Sequence, residues 1–112
     1  PHGLSVIINA PAVFRFTANT NPERHLEAAR LLGIDVSKEL PEKAGNLISN
    51  KLTEFIKILG MPNGLRGLGY EESDIDKLVD GTIPQHRVTK LSPVDVGAKE
   101  LKTLFEESFE LW

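Results

Sequence analysis

Over 43–59 the apolar residues Ala44, Leu47, Ile48, Leu52, Phe55, Ile56 and Leu59 recur three and four positions apart. That is the period of one face of an α-helix, and Lys43, Asn50, Lys51, Glu54 and Lys57 fall on the opposite face. Gly60 and Pro62 end the element. The same period runs through Ala98, Leu101, Leu104, Phe105 and Phe109, with Lys99, Glu100, Lys102, Glu106 and Glu110 outside, and predicts an amphipathic helix over 98–111. A third helix is announced by Asn21-Pro22-Glu23: a capping side chain, a proline at the first helical position, then an acidic residue near the positive helix end. It is expected to run to about Leu32, with Leu26, Ala29, Leu32, Ala28 and Leu31 along one broad apolar face and Gly33 in the left-handed position beyond it.

Shorter signals fill the gaps. Gly64, Gly67 and Gly69 make the stretch around Leu65 to Tyr70 a turn rather than a long element. Ser73 and Asp76, three apart, resemble a capping arrangement ahead of Ile75, Leu78 and Val79, and Gly81 is expected to end that short helix. Pro84 and Pro93 make a continuous helix improbable between Ile83 and Val96.

The first segment is ambiguous. Val6-Ile7-Ile8 and Ala12-Val13-Phe14 are β-favouring residues in a nearly continuous apolar run. Pro11 opposes a central strand, and a lone strand among amphipathic helices has no partner for its backbone groups. A buried helix, kinked at Pro11, satisfies both constraints. The fold class that follows is all-α, an irregular bundle of about five helices.

Composition narrows the partners. The 112 residues hold room for one domain, burying roughly two thirds of the unfolded surface in a single core. A net charge of -3, from 13 basic and 16 acidic residues spread along the chain, offers no basic field for nucleic acid. The apolar run from Leu4 to Phe16 is too short and too interrupted to span a bilayer. Absence of cysteine removes disulfides and thiolate metal sites, with a reducing compartment as the default. The three glycines at 64, 67 and 69 follow no predicted strand, so no phosphate-binding loop is expected and nucleotide binding by this chain alone is not anticipated.

Candidate chemistry is sparse. His2, His25 and His86 form no spacing that places two imidazoles on one helix face. His25 and His86 read as solvated surface residues. Phe14 and Phe16 read first as core, and second as borders of a substrate pocket together with the turn from Thr89 to Pro93. Trp112 either covers an apolar patch or frays, and both readings stand.

One pattern adds a direction. Pro1-His2-Gly3, an apolar stretch broken by Pro11, Phe14 to Asn19, and Pro22-Glu23-Arg24 in that order resemble the late part of the iron-dependent alcohol dehydrogenase family. The resemblance covers the whole chain. It implies the C-terminal helical domain of that family, a dehydroquinate synthase-like bundle that is incomplete here. In the family, the histidine of Pro-His-Gly is the last of four metal ligands, one Asp and three His, so His2 is the expected metal residue. The runs Pro22 to Ala29 and Arg87 to Pro93 are similar to the hydroxyacid-oxoacid transhydrogenase branch; other members carry an Asn-Pro-Arg type motif at the second run.

What the resemblance implies is the metal-bearing helical part of an NAD(P)-linked oxidoreductase acting on alcohols or hydroxy acids. Its cofactors in the parent enzyme would be Fe²⁺ or Zn²⁺ with NAD(P), neither expected to bind this chain tightly alone. The expected partners are the N-terminal nucleotide-binding domain of the same enzyme and a small hydroxy acid, oxo acid or alcohol; no nucleic acid or membrane partner is expected. A homo-oligomer stays open. The Pro-His-Gly start is expected to mark a fragment boundary, and the fragment is expected to be inactive alone. The compartment would be the cytoplasm in a bacterium or the mitochondrial matrix in a eukaryote. The competing reading is a free-standing helical interaction module with idle histidines.

Overall fold

A computed structural model of the chain describes residues 1–112, the side chain of Val88 excepted. Seven helices follow in order: α1 His2–Thr17, α2 Pro22–Leu31, α3 Ala44–Ile58, α4 Gly64–Gly67, α5 Ile75–Thr82, α6 His86–Thr89 and α7 Ala98–Glu107. Five have eight residues or more, α4 and α6 being single turns, and no strand occurs among the described residues. The expected all-α bundle of about five helices is therefore what the chain forms.

The ambiguous first segment is helical throughout, with Pro11 inside it. Proline removes one helical hydrogen bond, and here the ring compensates by lying wholly buried against the rest of the chain. Burial covers only one side. Ile8, Pro11 and Ala12 are buried, whereas Val6, Ile7, Val13 and Phe14 are exposed, which corrects the expectation of a buried helix. The physical reason is thickness: the molecule measures 42 × 32 × 19 Å, and its short axis fits about two helix diameters. A helix in a two-layer assembly has one side outside.

The second helix follows its capping signal. Asn21 Oδ1 accepts from the Arg24 backbone N–H at 3.3 Å, and Pro22 opens the helix. Gly33 sits at φ +93, and the amides of Gly33 and Ile34 donate to the carbonyls of Arg30 and Ala29, closing the C-terminal turn. Of the expected apolar face, Ala29 is buried, but Leu31 is left exposed at the helix end.

Two boundaries differ from expectation. The cap before α5 is formed two residues earlier than Ser73 and Asp76: Asp74 Oδ2 accepts from the Glu71 backbone N–H at 2.8 Å, across a 3₁₀ turn at Glu72–Asp74. Asp74 can reach back because the turn puts it above Glu71. Gly81 does not end α5, which continues to Thr82. Helix α7 stops at Glu107, short of 111, because the tail leaves the helix to bond elsewhere, and Ala98, expected inside, is exposed.

The destination of the tail explains the early stop. The amides of Leu65 and Arg66 donate to the carbonyls of Ser108 and Phe109, both at 3.0 Å. Asn63 Oδ1 accepts from the amides of Leu111 at 2.7 Å and Trp112 at 3.1 Å, and its Nδ2 donates to the Trp112 carbonyl at 2.5 Å. Gly64 lies at φ +67, where a Cβ would stand 2.4 Å from the Phe109 carbonyl oxygen. Only glycine meets both conditions. The core sits beneath this junction: Ile8, Ile56, Leu65, Ile75, Val79, Leu101 and Phe109, joined by Met61, Leu68 and Phe105. Phe109 is thus core as its spacing implied, although it lies beyond the helix.

Helix α1 packs on α3 and α7, α2 on α3, and α5 on α7. No helix is long and apolar enough to cross a membrane.

Candidate metal-ligating face

Helix α1 is positioned by its inner side. Gly45 of α3 lets it approach closely, since a Cβ there would lie 3.0 Å from Ala18 Cβ and 3.2 Å from the Arg15 carbonyl oxygen. Arg15 then ties three helices, donating from Nη1 to Ser49 Oγ of α3 and from Nη2 to Glu107 Oε2 of α7, each at 3.0 Å. Ser49 is fully enclosed, so this guanidinium satisfies a hydroxyl that would otherwise be buried unpaired. Neither Gly45 nor Arg15 was singled out from the sequence. A charged residue in an apolar helical run was the available signal for Arg15.

His2 occupies the first position of α1, and its residue is exposed. Ser5 Oγ donates to the His2 carbonyl at 2.8 Å, satisfying that group in the first turn. Its imidazole forms no hydrogen bond within the chain among the described side chains. Helical geometry sets His2 four residues before Val6, on the same side and one turn nearer the N-terminus.

The other histidines are elsewhere. His25 in α2 is half-buried, its Nδ1 donating to the Asn21 carbonyl at 2.8 Å, and its ring meets Phe14 edge-on at 6.4 Å between centroids. His86 in α6 is exposed. Among the described residues no three His, Cys, Asp or Glu side chains gather as metal ligands. A metal held by His2 would need its other donors from outside these residues.

The residues once paired as pocket borders separate. Thr89, Lys90 and Ser92 line an open cavity of about 530 Å³ with His86, Val96 and Leu101. Phe16 borders another, about 350 Å³, beside Arg15 and Lys99. Phe14 lines neither; it lies on the exposed side of α1, so it is not the core residue expected. Trp112 is held through its backbone by Asn63, and Lys57 Nζ sits 5.9 Å from its ring centroid. It does not fray.

Residues 1–109 match the family described as "Fe-containing alcohol dehydrogenase family, C-terminal". The chain belongs to the iron-containing alcohol dehydrogenase family. Among curated relatives, a protein of Dictyostelium discoideum named probable hydroxyacid-oxoacid transhydrogenase, mitochondrial, is 54% identical over all 112 residues, which cover 20% of that protein. The proteins of Xenopus tropicalis and Homo sapiens named hydroxyacid-oxoacid transhydrogenase, mitochondrial, are 49% and 46% identical over the same span, 24% of each. The chain thus spans about a fifth to a quarter of the length of these relatives. A crystal structure of 1,3-propanediol oxidoreductase shares the fold at a TM-score of 0.86 and 24% identity, over 97% of this chain and 28% of that one.

The matched region is the C-terminal one of that family.

Proposed function

We propose that this chain is the metal-bearing helical part of an oxidoreductase acting on hydroxy acids or alcohols, a hydroxyacid-oxoacid transhydrogenase in particular, and that His2 binds its metal. The observation that carries the reading is 46–54% identity across every residue to relatives bearing that name, with Pro1-His2-Gly3 at the exposed head of α1. The metal would be Fe²⁺ or Zn²⁺ and the hydride carrier NAD(P), both held in the whole enzyme. The nucleotide-binding part is the N-terminal portion of the same polypeptide, and the 112 residues alone are inactive. In a eukaryotic source the compartment is the mitochondrial matrix, in keeping with the names of the relatives.

A divalent ion held there would supply Lewis-acid polarisation of an alcohol or carbonyl oxygen, the chemistry that favours hydride transfer at the attached carbon. The chain's own contribution is placement. His2 offers an imidazole nitrogen from the first turn of a helix anchored further along at Arg15 and Gly45.

The test is His2→Ala in the whole enzyme, with metal content by mass spectrometry and hydride exchange between a hydroxy acid and an oxo acid as readouts. Loss of bound metal and of activity, with the far-UV dichroism unchanged, is the expected result. Full metal content would end the role of His2. A free-standing interaction module shares the open apolar side of α1, and it is favoured only if the whole enzyme's activity is also indifferent to this substitution.

A further inference from the structure

The connector between α5 and α7 reverses the charge of the chain. From Gly81 to Val94 it carries Arg87 and Lys90 and no acidic residue, in a protein whose net charge is -3. The cavity of about 530 Å³ at this connector is lined by polar His86, Lys90 and Ser92 and by apolar Ile83, Val96 and Leu101. Lys90 is exposed and forms no ion pair among the described residues. Asp95 is the one acidic residue on the lining, and it does not pair with Lys90. Ser92 Oγ accepts from the Val94 amide at 3.3 Å, which leaves its hydroxyl hydrogen to donate elsewhere. An unneutralised ammonium and an unused hydroxyl donor therefore share one cavity with an aliphatic wall.

We propose that this cavity seats the carboxylate of a small organic acid, held by the Lys90 ammonium and the Ser92 hydroxyl, with its carbon chain against Ile83, Val96 and Leu101. An ammonium–carboxylate hydrogen bond is of the charge-assisted kind, stronger than a neutral one. Arg87, on the same connector, adds to the positive potential that draws an anion in, and with Lys90 it outweighs the single charge of Asp95. An inorganic anion would gain nothing from the aliphatic wall, whereas an acid with a carbon chain buries it. The relatives are named for two classes of acid, so the occupant is either the acid that exchanges hydride or a second acid bound away from the reacting carbon. The chemistry of the seat is the same for both, and it does not depend on the metal role of His2.

The test is titration of the whole enzyme with succinate at constant ionic strength. The lysines carry ¹³C-methyl groups, which keep their charge, and the Lys90 signal is assigned by its loss in Lys90→Met. A saturable shift of that signal is expected, and calorimetry should show succinate binding weakened about ten-fold or more by Lys90→Met and restored by Lys90→Arg. A shift that sodium chloride reproduces, or equal affinity in wild type and Lys90→Met, would overturn the seat. Kinetics then separate the two sources. Competition between succinate and the hydroxy acid, abolished by Lys90→Met, assigns the seat to the reacting acid; saturable binding at Lys90 without competition assigns it to a second acid. The Lys90 signal reads binding whether or not hydride exchange is observed, so failure of the transhydrogenase reading and failure of the seat give different results.

Discussion

Two apolar regions of this molecule have opposite fates. At the junction of α4 with the tail, apolar and polar groups find partners inside the chain: Phe109 is buried, Asn63 pairs both amide groups, and Gly64 leaves room for a carbonyl. On the outer side of α1 and α3, residues equally hydrophobic stand in the open. The contrast shows that apolar character states a demand for burial, while the number of layers available decides whether it is met. A body two helices thick can bury one side of α1 and no more.

The contrast is broken most strongly at Gly64. Gly64→Val forces a β-branched residue to φ +67 and drives Cβ into the Phe109 and Ser108 carbonyls, so a loss of about 3–5 kcal/mol is expected in urea unfolding. Gly69→Ala, at φ +93 with nothing within 4 Å, serves as the control and is expected to lose only about 1 kcal/mol.

Next in size is the difference between the two sides of α1. Ile8→Ala, at a fully enclosed position, should cost about 2–4 kcal/mol, and Val6→Ala under about 1 kcal/mol in this chain. Equal losses in denaturant melts would mean that the outer side is already covered.

A smaller effect is expected at the tail. Asn63→Ala removes three hydrogen bonds and should cost about 1–3 kcal/mol. Amide exchange at Leu111 and Trp112 would accelerate before that of Leu101; unchanged exchange would show that the tail is held by Phe109 alone.

The smallest effect concerns α2, on neither side of the comparison. The hydrogen bond from Arg30 holds the Glu27 carboxyl below its ordinary pKa, outweighing the opposing effect of burial, with the charge of Arg30 contributing least. A carboxyl with a lowered native pKa contributes stability above its unfolded pKa and loses it as pH falls through the native one. Acidification through the carboxylate range should therefore weaken α2 slightly. Glu27→Gln should flatten that part of the pH profile, and an unaltered profile would assign the acid response to Asp35, lowered by its bonds from Ser37.

Much of the fold was legible because local chemistry settles it. The cap at Asn21, the left-handed Gly33 and the period of α3 and α7 each act within a turn or two of the chain. The candidate site was legible only through resemblance, because one imidazole in a chain without partner ligands has no spacing to betray it. Arg15 escaped notice since its partners, Ser49 and Glu107, are 34 and 92 residues away.

By itself, then, the sequence determined that the chain is helical, where most helices begin, and which residues want to be buried, all consequences of backbone hydrogen bonding and side-chain periodicity. Tertiary structure decided the rest. It stopped α7 at Glu107 by offering Asn63 and the α4 amides as better partners for the tail, and it split α1 into a covered and an open side. Contacts between residues far apart in sequence set those outcomes, and no local period encodes them.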